Sequence, residues 1–291
     1  MSRFLSRKDF LVTCGAFASA PLLGEGFAGA PLVRFGVFTD SHYADLDPMG
    51  SDEPTARYYR DSVDKVRKFV EIMNARKVDF VIELGDFKDD SGANTLAKLD
   101  EIETAFAQFD GPRYHVLGNH DADVISRDDF LSHVTNTGFP VAMPHYSFTK
   151  GGVRFIVLDA CYDSTMQPYD KSNPWTDSNI PEEQLSWLRG ELRRSRCPTV
   201  VFCHQLLCPG GGSDYTVKQA ETVRGILEGD SSVHAVLMGH THDEAACHHN
   251  GIYYHTFGAM VKGPKSGYNA FSEVAVFASG AVSVTGFSTI P

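Results

Sequence analysis

Along this chain, short apolar runs alternate with longer stretches in which apolar residues recur every three or four positions. The first kind has the length and the β-branched or aromatic content of strands; the second has the period of an amphipathic helix. Strands are predicted at residues 34–39, 80–84, 113–117, 153–158, 199–203 and 233–238, and helices at 55–75, 95–109, 181–194 and 217–227. Pro181, with Glu182 and Glu183 behind it, marks a helix start, where proline lacks no needed amide and acids meet the positive end of the helix. Toward the end the pattern becomes one of consecutive strands, at 251–256, 270–277 and 281–287. This order predicts an α/β fold in which sheets pack face to face and helices flank them. The long polar stretch 163–179 reads as a loop near a site.

The first thirty residues break the pattern. Arg3, Arg7 and Lys8 precede an apolar, small-residue run from Phe10 to Leu23, followed by Ala28-Gly29-Ala30. That is the order of an export signal, and Ser6-Arg7-Lys8-Asp9-Phe10-Leu11 resembles a twin-arginine signal with Lys as the second basic residue. Residues 1–30 are therefore expected to be a signal and 31–291 a single exported domain, periplasmic or extracellular, or membrane-tethered if the signal stays uncleaved. No later segment is long and apolar enough for an ordinary spanning helix. Beyond the signal five cysteines remain, an odd number, of which Cys203 and Cys208 are close enough in sequence to pair or to stand as separate thiols.

Charge narrows the partners. Lys and Arg total 26 against 37 Asp and Glu, a formal net charge of −11. Such a chain lacks the broad positive surface that duplex nucleic acid requires, yet can bind phosphate where metal ions supply local positive charge.

The candidate chemistry follows the strands. Asp40-Ser41-His42, Gly85-Asp86-Phe87-Lys88-Asp89, Gly118-Asn119-His120-Asp121, His204, and Gly239-His240-Thr241-His242-Asp243 each come directly after an apolar run. In open α/β sheets ligands bind beyond the carboxyl ends of strands, so five strands deliver ligand-type side chains to one edge. Residues two apart in extended chain point the same way, which lets Asp40 and His42 approach one ion. Mixed Asp, His and Asn donors suit manganese, zinc, iron or cobalt. His115 lies within a strand and reads as structural; His133, His145, His234, His248 and His255 belong to no such cluster. No G-x-S-x-G elbow, Walker lysine loop or H-E-x-x-H is present.

These ordered motifs resemble those of the calcineurin-like metallophosphoesterase superfamily, over residues 34 to about 287. The resemblance implies a four-layer αββα sandwich of two mixed sheets flanked by helices. It implies two divalent ions: one held by Asp40, His42, Asp86 and His242, the other by Asp86, Asn119, His204 and His240. It also implies that His120 acts beside the leaving group, oriented by Asp89. The expected reaction is hydrolysis of a phosphate ester or phosphoanhydride by a hydroxide shared between the ions. Asp89 stands where the purple acid phosphatase branch has its tyrosine, so an iron–tyrosinate centre is not expected.

Further stretches are similar to the manganese-dependent ADP-ribose/CDP-alcohol diphosphatase branch. They are Phe-Gly-Val-Phe-Thr-Asp-Ser-His-Tyr-Ala-Asp from Phe35, Arg57-Tyr58-Tyr59-Arg60, Leu158-Asp159-Ala160-Cys161-Tyr162-Asp163, Glu183-Gln184-Leu185-Ser186-Trp187-Leu188 and Gly251-Ile252-Tyr253-Tyr254-His255-Thr256. They point to a small nucleoside-diphosphate-type substrate. That branch commonly has Glu where this chain has Asp121; Asn-His-Asp also suits phosphodiesterases of cyclic nucleotides or glycerophosphodiesters. A different class, a scaffold that binds metal without turnover, is the alternative that loss of a ligand would have favoured. Tyr43, Arg60, Gln184 and Trp187 are each readable either as substrate contacts or as ordinary packing.

Overall fold

The structure, a computed structural model, describes residues 29–50, 55–171, 173–194 and 196–287. The proposed signal therefore falls almost wholly outside the described residues. Among the described residues, eleven strands form two sheets. The first runs β11(Val282–Phe287)-β10(Phe271–Val276)-β1(Val33–Phe38)-β2(Phe80–Glu83)-β3(Arg113–His115), and the second β4(Tyr146–Lys150)-β5(Val153–Val157)-β6(Thr199–Phe202)-β7(Val233–Met238)-β9(Ile252–Thr256)-β8(Ala245–His249). Strands β1, β2 and β3 are mutually parallel, as are β5, β6, β7 and β9; antiparallel β10 and β11 complete one sheet, and β4 and β8 edge the other. The expected pair of mixed sheets flanked by helices is what the chain forms.

Strand periodicity of two explains the layering. Phe35, Val37, Phe80 and Ile82 from one sheet meet Phe155, Val157, Val200, Phe202 and Leu237 from the other in a shared inner core. Phe35 stacks on Phe80 at 4.7 Å and meets Phe155 edge-on at 5.5 Å. Truncating one such ring to Ala should cost about 3–5 kcal/mol. The alternate residues face the helices. Phe38 and Val81 pack with Val66, Phe69, Met73, Leu99 and Phe106 from α1(Ser62–Arg76) and α2(Thr95–Phe106). Val201, Val236 and Met238 pack with Leu185, Leu188, Val223 and Leu227 from α4(Glu182–Arg194) and α5(Ala220–Glu228). Gly36 lets α1 approach β1: a Cβ there would lie 2.7 Å from the Met73 side chain.

Two strands and one α-helix were not anticipated: β4, β8 and the short α3(Arg127–His133), which Ser126 caps with a reciprocal Asp129 bond. Helix α1 starts at Ser62 rather than 55, because Arg57 pairs instead through backbone bonds with Met49. Cys203 and Cys208 are both free thiols. No helix among the described residues is long and apolar enough to cross a membrane.

Candidate metal centre

The loops that leave β1, β2, β3, β6 and β7 converge. Ligand atoms of Asp40, His42 and His242 lie within 4.8 Å of one another, as do those of Asp86, His204 and His240. Asp86 stands between the groups, with Oδ2 3.1 Å from His204 Nε2 and 3.6 Å from His42 Nε2. His42 and His242 bring their Nε2 atoms to 2.9 Å, and His242 Nε2 is 3.2 Å from Asp40 Oδ1. All of these residues are buried or nearly so.

The test of whether cations belong here is what the donors do without them. Asp40 Oδ1, Asn119 Oδ1, His204 Nε2 and His240 Nε2 are buried and have no hydrogen-bond partner. An unpaired buried polar atom costs roughly 1–3 kcal/mol, so four from the expected ligand set are poorly explained by protein contacts alone. Their other atoms are anchored. The Thr39 hydroxyl (2.6 Å) and the His240 N–H (3.0 Å) both donate to Asp40 Oδ2. His204 Nδ1 donates to the Leu84 carbonyl at 2.7 Å, and His42 Nδ1 to Asp89 at 3.0 Å. Each bond fixes a tautomer and leaves Nε2 for a metal. The donor set fits two divalent ions, with Asp86 shared between them.

Backbone conformation tells the same story. Nine non-glycine residues among those described have left-handed φ, and Asp40, His42, Asp86, His240 and His242 are five of them. Asp and His are among the side chains that visit this region more readily, yet each pays about 1–2 kcal/mol relative to ordinary backbone. The loops are held against that cost by buried partners. Asp121 accepts backbone N–H groups from Gly118 (2.8 Å), Asp86 (2.9 Å) and Phe87 (2.9 Å), which ties the β2 and β3 loops together. Lys65 donates to the carbonyls of Met260 (2.8 Å), Lys262 (2.9 Å) and Gly263 (2.6 Å). That segment in turn bonds the Thr39 and Asp40 carbonyls.

Electrostatics divides the imidazoles. Burial disfavours charge on His42, but Asp40, Asp89 and Asp86 outweigh it and raise its pKa to about 10. His204, also buried but beside Asp86 and Asp40, rises to about 9. Burial and the neighbouring His204 instead push His240 down to about 3. Burial likewise opposes charge on Asp86, yet the imidazoles of His204, His120 and His42 hold its carboxyl far below the usual range. The pocket's carboxylates thus attract positive charge, which protons supply when cations do not.

His120 sits over this cluster, its ring 4.8 Å from that of His42, and its backbone N–H donates to Asp86 Oδ1 at 2.8 Å. Its orienting partner differs from the expectation. Asp89 is 3.8 Å from His120 Nδ1, whereas Asp123 is 2.8 Å away. The reason is that Asp89 is already engaged by His42 and by the Asp90 N–H.

Other residues singled out in the sequence lie elsewhere. Arg60 is paired with Asp45 and Asp47 at the surface. Gln184 brackets the Asp159 backbone, donating to its carbonyl at 2.7 Å and accepting its N–H at 2.9 Å. Trp187 packs on His145. The Tyr43 ring lies under the Lys98 ammonium. His115 is buried in an ion cluster with Glu83 (2.9 Å) and Glu103 (3.1 Å). Two residues that sequence reasoning missed do reach the centre: Trp175 and Tyr215 meet the His240 ring edge-on at 5.8 and 5.5 Å. They come from the polar loop read as site-adjacent and from the loop after β6. A cleft of about 250 Å³ opens beside His242, with Asp243, Lys262 and Tyr268 in its wall.

Two parallel-stranded sheet edges that pool Asp, His and Asn donors around a shared carboxylate define a dinuclear metallohydrolase. Residues 33–244 match the calcineurin-like phosphoesterase family, and the chain belongs to that family. It is a metal-dependent phosphoesterase whose cofactors are two divalent ions. It is similar to the manganese-dependent ADP-ribose/CDP-alcohol diphosphatase of Oryza sativa subsp. japonica, with 27% identity across 85% of this chain and 89% of the relative. The Mus musculus protein of the same name is also 27% identical, over 74% of this chain and 79% of its own. Among solved structures, a dimetal phosphatase from Danio rerio superposes with a TM-score of 0.72 at 21% identity, covering 90% of this chain and 98% of that one.

Proposed function

We propose that this enzyme is a manganese-supported diphosphatase that cleaves the phosphoanhydride of nucleoside-diphosphate conjugates of the ADP-ribose or CDP-alcohol kind. The observation that carries the reading is likeness along most of the chain, at both ends of the comparison, to relatives named for that activity. The site's surroundings support it. Such a substrate has an arm on each side of the scissile bond, and two features adjoin the centre: the Trp175 and Tyr215 rings at His240 and the cleft at His242. Flat apolar rings suit a nucleobase.

Bound divalent ions would supply an activated water and neutralise phosphoryl charge. Asp40, His42, Asp86, Asn119, His204, His240 and His242 would hold them. His120, poised over His42 and Asp86, would give a proton to the departing oxygen. The phosphodiesterase alternative rested on Asp121, and that carboxylate faces backbone amides rather than the open site.

Manganese-loaded protein should be assayed on ADP-ribose, a CDP-alcohol, p-nitrophenyl phosphate and bis-p-nitrophenyl phosphate. The highest kcat/KM is expected on a diphosphate. Turnover of diesters with none of ADP-ribose or the CDP-alcohol would reject this reading in favour of a phosphodiesterase; no turnover of any of them would favour a scaffold.

Export of the protein is part of the same proposal. Its support is the basic start, the apolar run and the small residues of positions 1–30. Fractionation of the native host with N-terminal sequencing tests it, and a cytoplasmic protein that begins at Met1 would reject it.

A further inference from the structure

We infer that Gln219 and Asn179 form a clasp that joins two loops into one wall, and that these two amides are the positioning residues of the aromatic face offered to the substrate's base. The inference rests on the reading of Trp175 and Tyr215 as a surface for a nucleobase. Its basis is a likeness in how the two loops are built. Trp175 lies four residues before Asn179, in the loop between β5 and α4, and Tyr215 four residues before Gln219, in the loop between β6 and α5. The two rings stand at the tips with centroids 5.2 Å apart, 41% and 39% exposed. Large rings left that open over His240 present a flat face that a base can cover.

The amides sit at the roots of the loops. Gln219 Nε2 donates to Asn179 Oδ1 at 3.2 Å, and Gln219 Oε1 accepts the Ile180 N–H at 2.8 Å. Beside them the Lys218 N–H donates to the Ser178 carbonyl at 3.0 Å. Asn179 is buried and carries the connection inward, its Nδ2 lying 3.1 Å from the Tyr162 carbonyl, 3.2 Å from the Asp177 carbonyl and 3.0 Å from Asp177 Oδ1. Asp177 in turn accepts the Ser164 N–H at 2.8 Å and the Tyr169 hydroxyl at 2.9 Å. In the other loop the Leu206 N–H donates to the Tyr215 carbonyl at 3.0 Å, and the Val217 N–H to the Leu206 carbonyl at 3.1 Å. Each tip is thus braced within its own loop, and the clasp sets how the two tips lie relative to each other. Without it a bound base would first have to align the rings, and that ordering weakens binding. The loss falls on substrate affinity and leaves the metal ligands untouched.

The experiment uses the full chain loaded with manganese, with ADP-ribose and p-nitrophenyl phosphate as substrates. Gln219→Met keeps the length of the side chain and removes both of its bonds. It should raise KM for ADP-ribose about 3–10-fold, with kcat and metal content near wild type. The KM for p-nitrophenyl phosphate, which presents no base, should not follow. Gln219→Glu keeps the acceptor for the Ile180 N–H and should recover part of the loss. In the Trp175→Ala background Gln219→Met should add less than about twofold, because residues that act through one group are not additive.

A readout independent of turnover is the fluorescence of Trp175. The chain has two tryptophans, and Trp187 packs on His145 away from the centre, so Trp187→Phe leaves Trp175 as the sole emitter. In that background, with neither metal nor substrate present, Gln219→Met should make Trp175 more accessible to acrylamide and lower its anisotropy, with the circular dichroism of the fold unchanged. Gln219→Glu should fall between Gln219→Met and the parent. A KM for ADP-ribose unchanged by Gln219→Met would overturn the inference, as would an equal rise on p-nitrophenyl phosphate or a Trp175 signal that does not respond. If Trp175→Ala and Tyr215→Ala both leave the KM for ADP-ribose unchanged, it is the nucleobase reading that fails. The fluorescence then still decides whether the clasp holds the ring.

Discussion

The two ends of the centre are built from different materials. At the His42 end, Asp40, Asp86, Asp89 and Asp123 surround the imidazoles of His42, His120 and His242, and a buried lysine braces the outermost carboxylate. At the His240 end the imidazole has no carboxylate of its own within ion-pair distance; it is walled by His204, Trp175 and Tyr215. The pKa directions follow, with His42 raised to about 10 and His240 depressed to about 3. The contrast teaches that a shared pair of ions does not make a symmetric site. One end is crowded with carboxylates, while at the other the imidazole of His240 is walled by aromatic rings.

The bridge between the ends should matter most. Asp86→Asn is expected to deplete both ions and to cost more than the roughly 10²–10³-fold that follows loss of one electrostatic contact. Asn119→Ala should retain about half the metal. Elemental analysis beside the rates checks this, and equal, wild-type-like metal content in both variants would break the assignment of Asp86 as shared.

Next in size is the charged end. His120→Ala should keep both ions and lose roughly 10²–10⁴-fold in kcat, most for alkyl and least for p-nitrophenyl leaving groups. Full activity on an alkyl ester would mean that no proton is delivered from that end.

The pH dependence of metal binding sharpens the comparison further. With pKa values raised to about 10 and 9, His42 and His204 are protonated at pH 7 in the empty protein, whereas His240 is already neutral. Cations must therefore displace protons at His42 and His204, so affinity should rise from pH 6.5 to 8.5, by about tenfold per pH unit for each proton released. Manganese titrations in buffers of different ionisation enthalpy would count those protons. An affinity flat across this range would show the imidazoles to be neutral beforehand.

The smallest effect belongs to the aromatic end. Trp175→Ala or Tyr215→Ala should raise KM for a nucleoside diphosphate about 5–20-fold, the low end of base-stacking contributions. Values on p-nitrophenyl phosphate should barely move. Equal changes on both substrates would show that the rings merely support His240.

What the sequence disclosed follows the same division. Every strand that feeds the centre was visible as an apolar run, because both of its faces are buried, and each candidate ligand follows its strand directly. Strands β4 and β8 were missed because they are edge strands with half-exposed patterns. The Gly151-Gly152 turn between β4 and β5 was a hairpin signal that could have revealed the first of them. Asp123 was hidden for another reason. Its partnership depends on a 3-10 turn, and only an acid three residues beyond His120 hinted at it. Trp175 and Tyr215 carry no motif at all; long-range folding alone brings their loops to His240.

Five candidate ligands hold left-handed backbone, and that bears on descent. Glycine would sit at those positions without steric cost, so replacing Asp40, His42, Asp86, His240 or His242 relieves about 1–2 kcal/mol of backbone energy while removing a ligand. A lineage freed from the need for turnover would drift down that slope, accumulating glycine where the ions once bound. Metal-free His242→Gly protein, which gives up that ligand, should accordingly melt no lower than the metal-free parent.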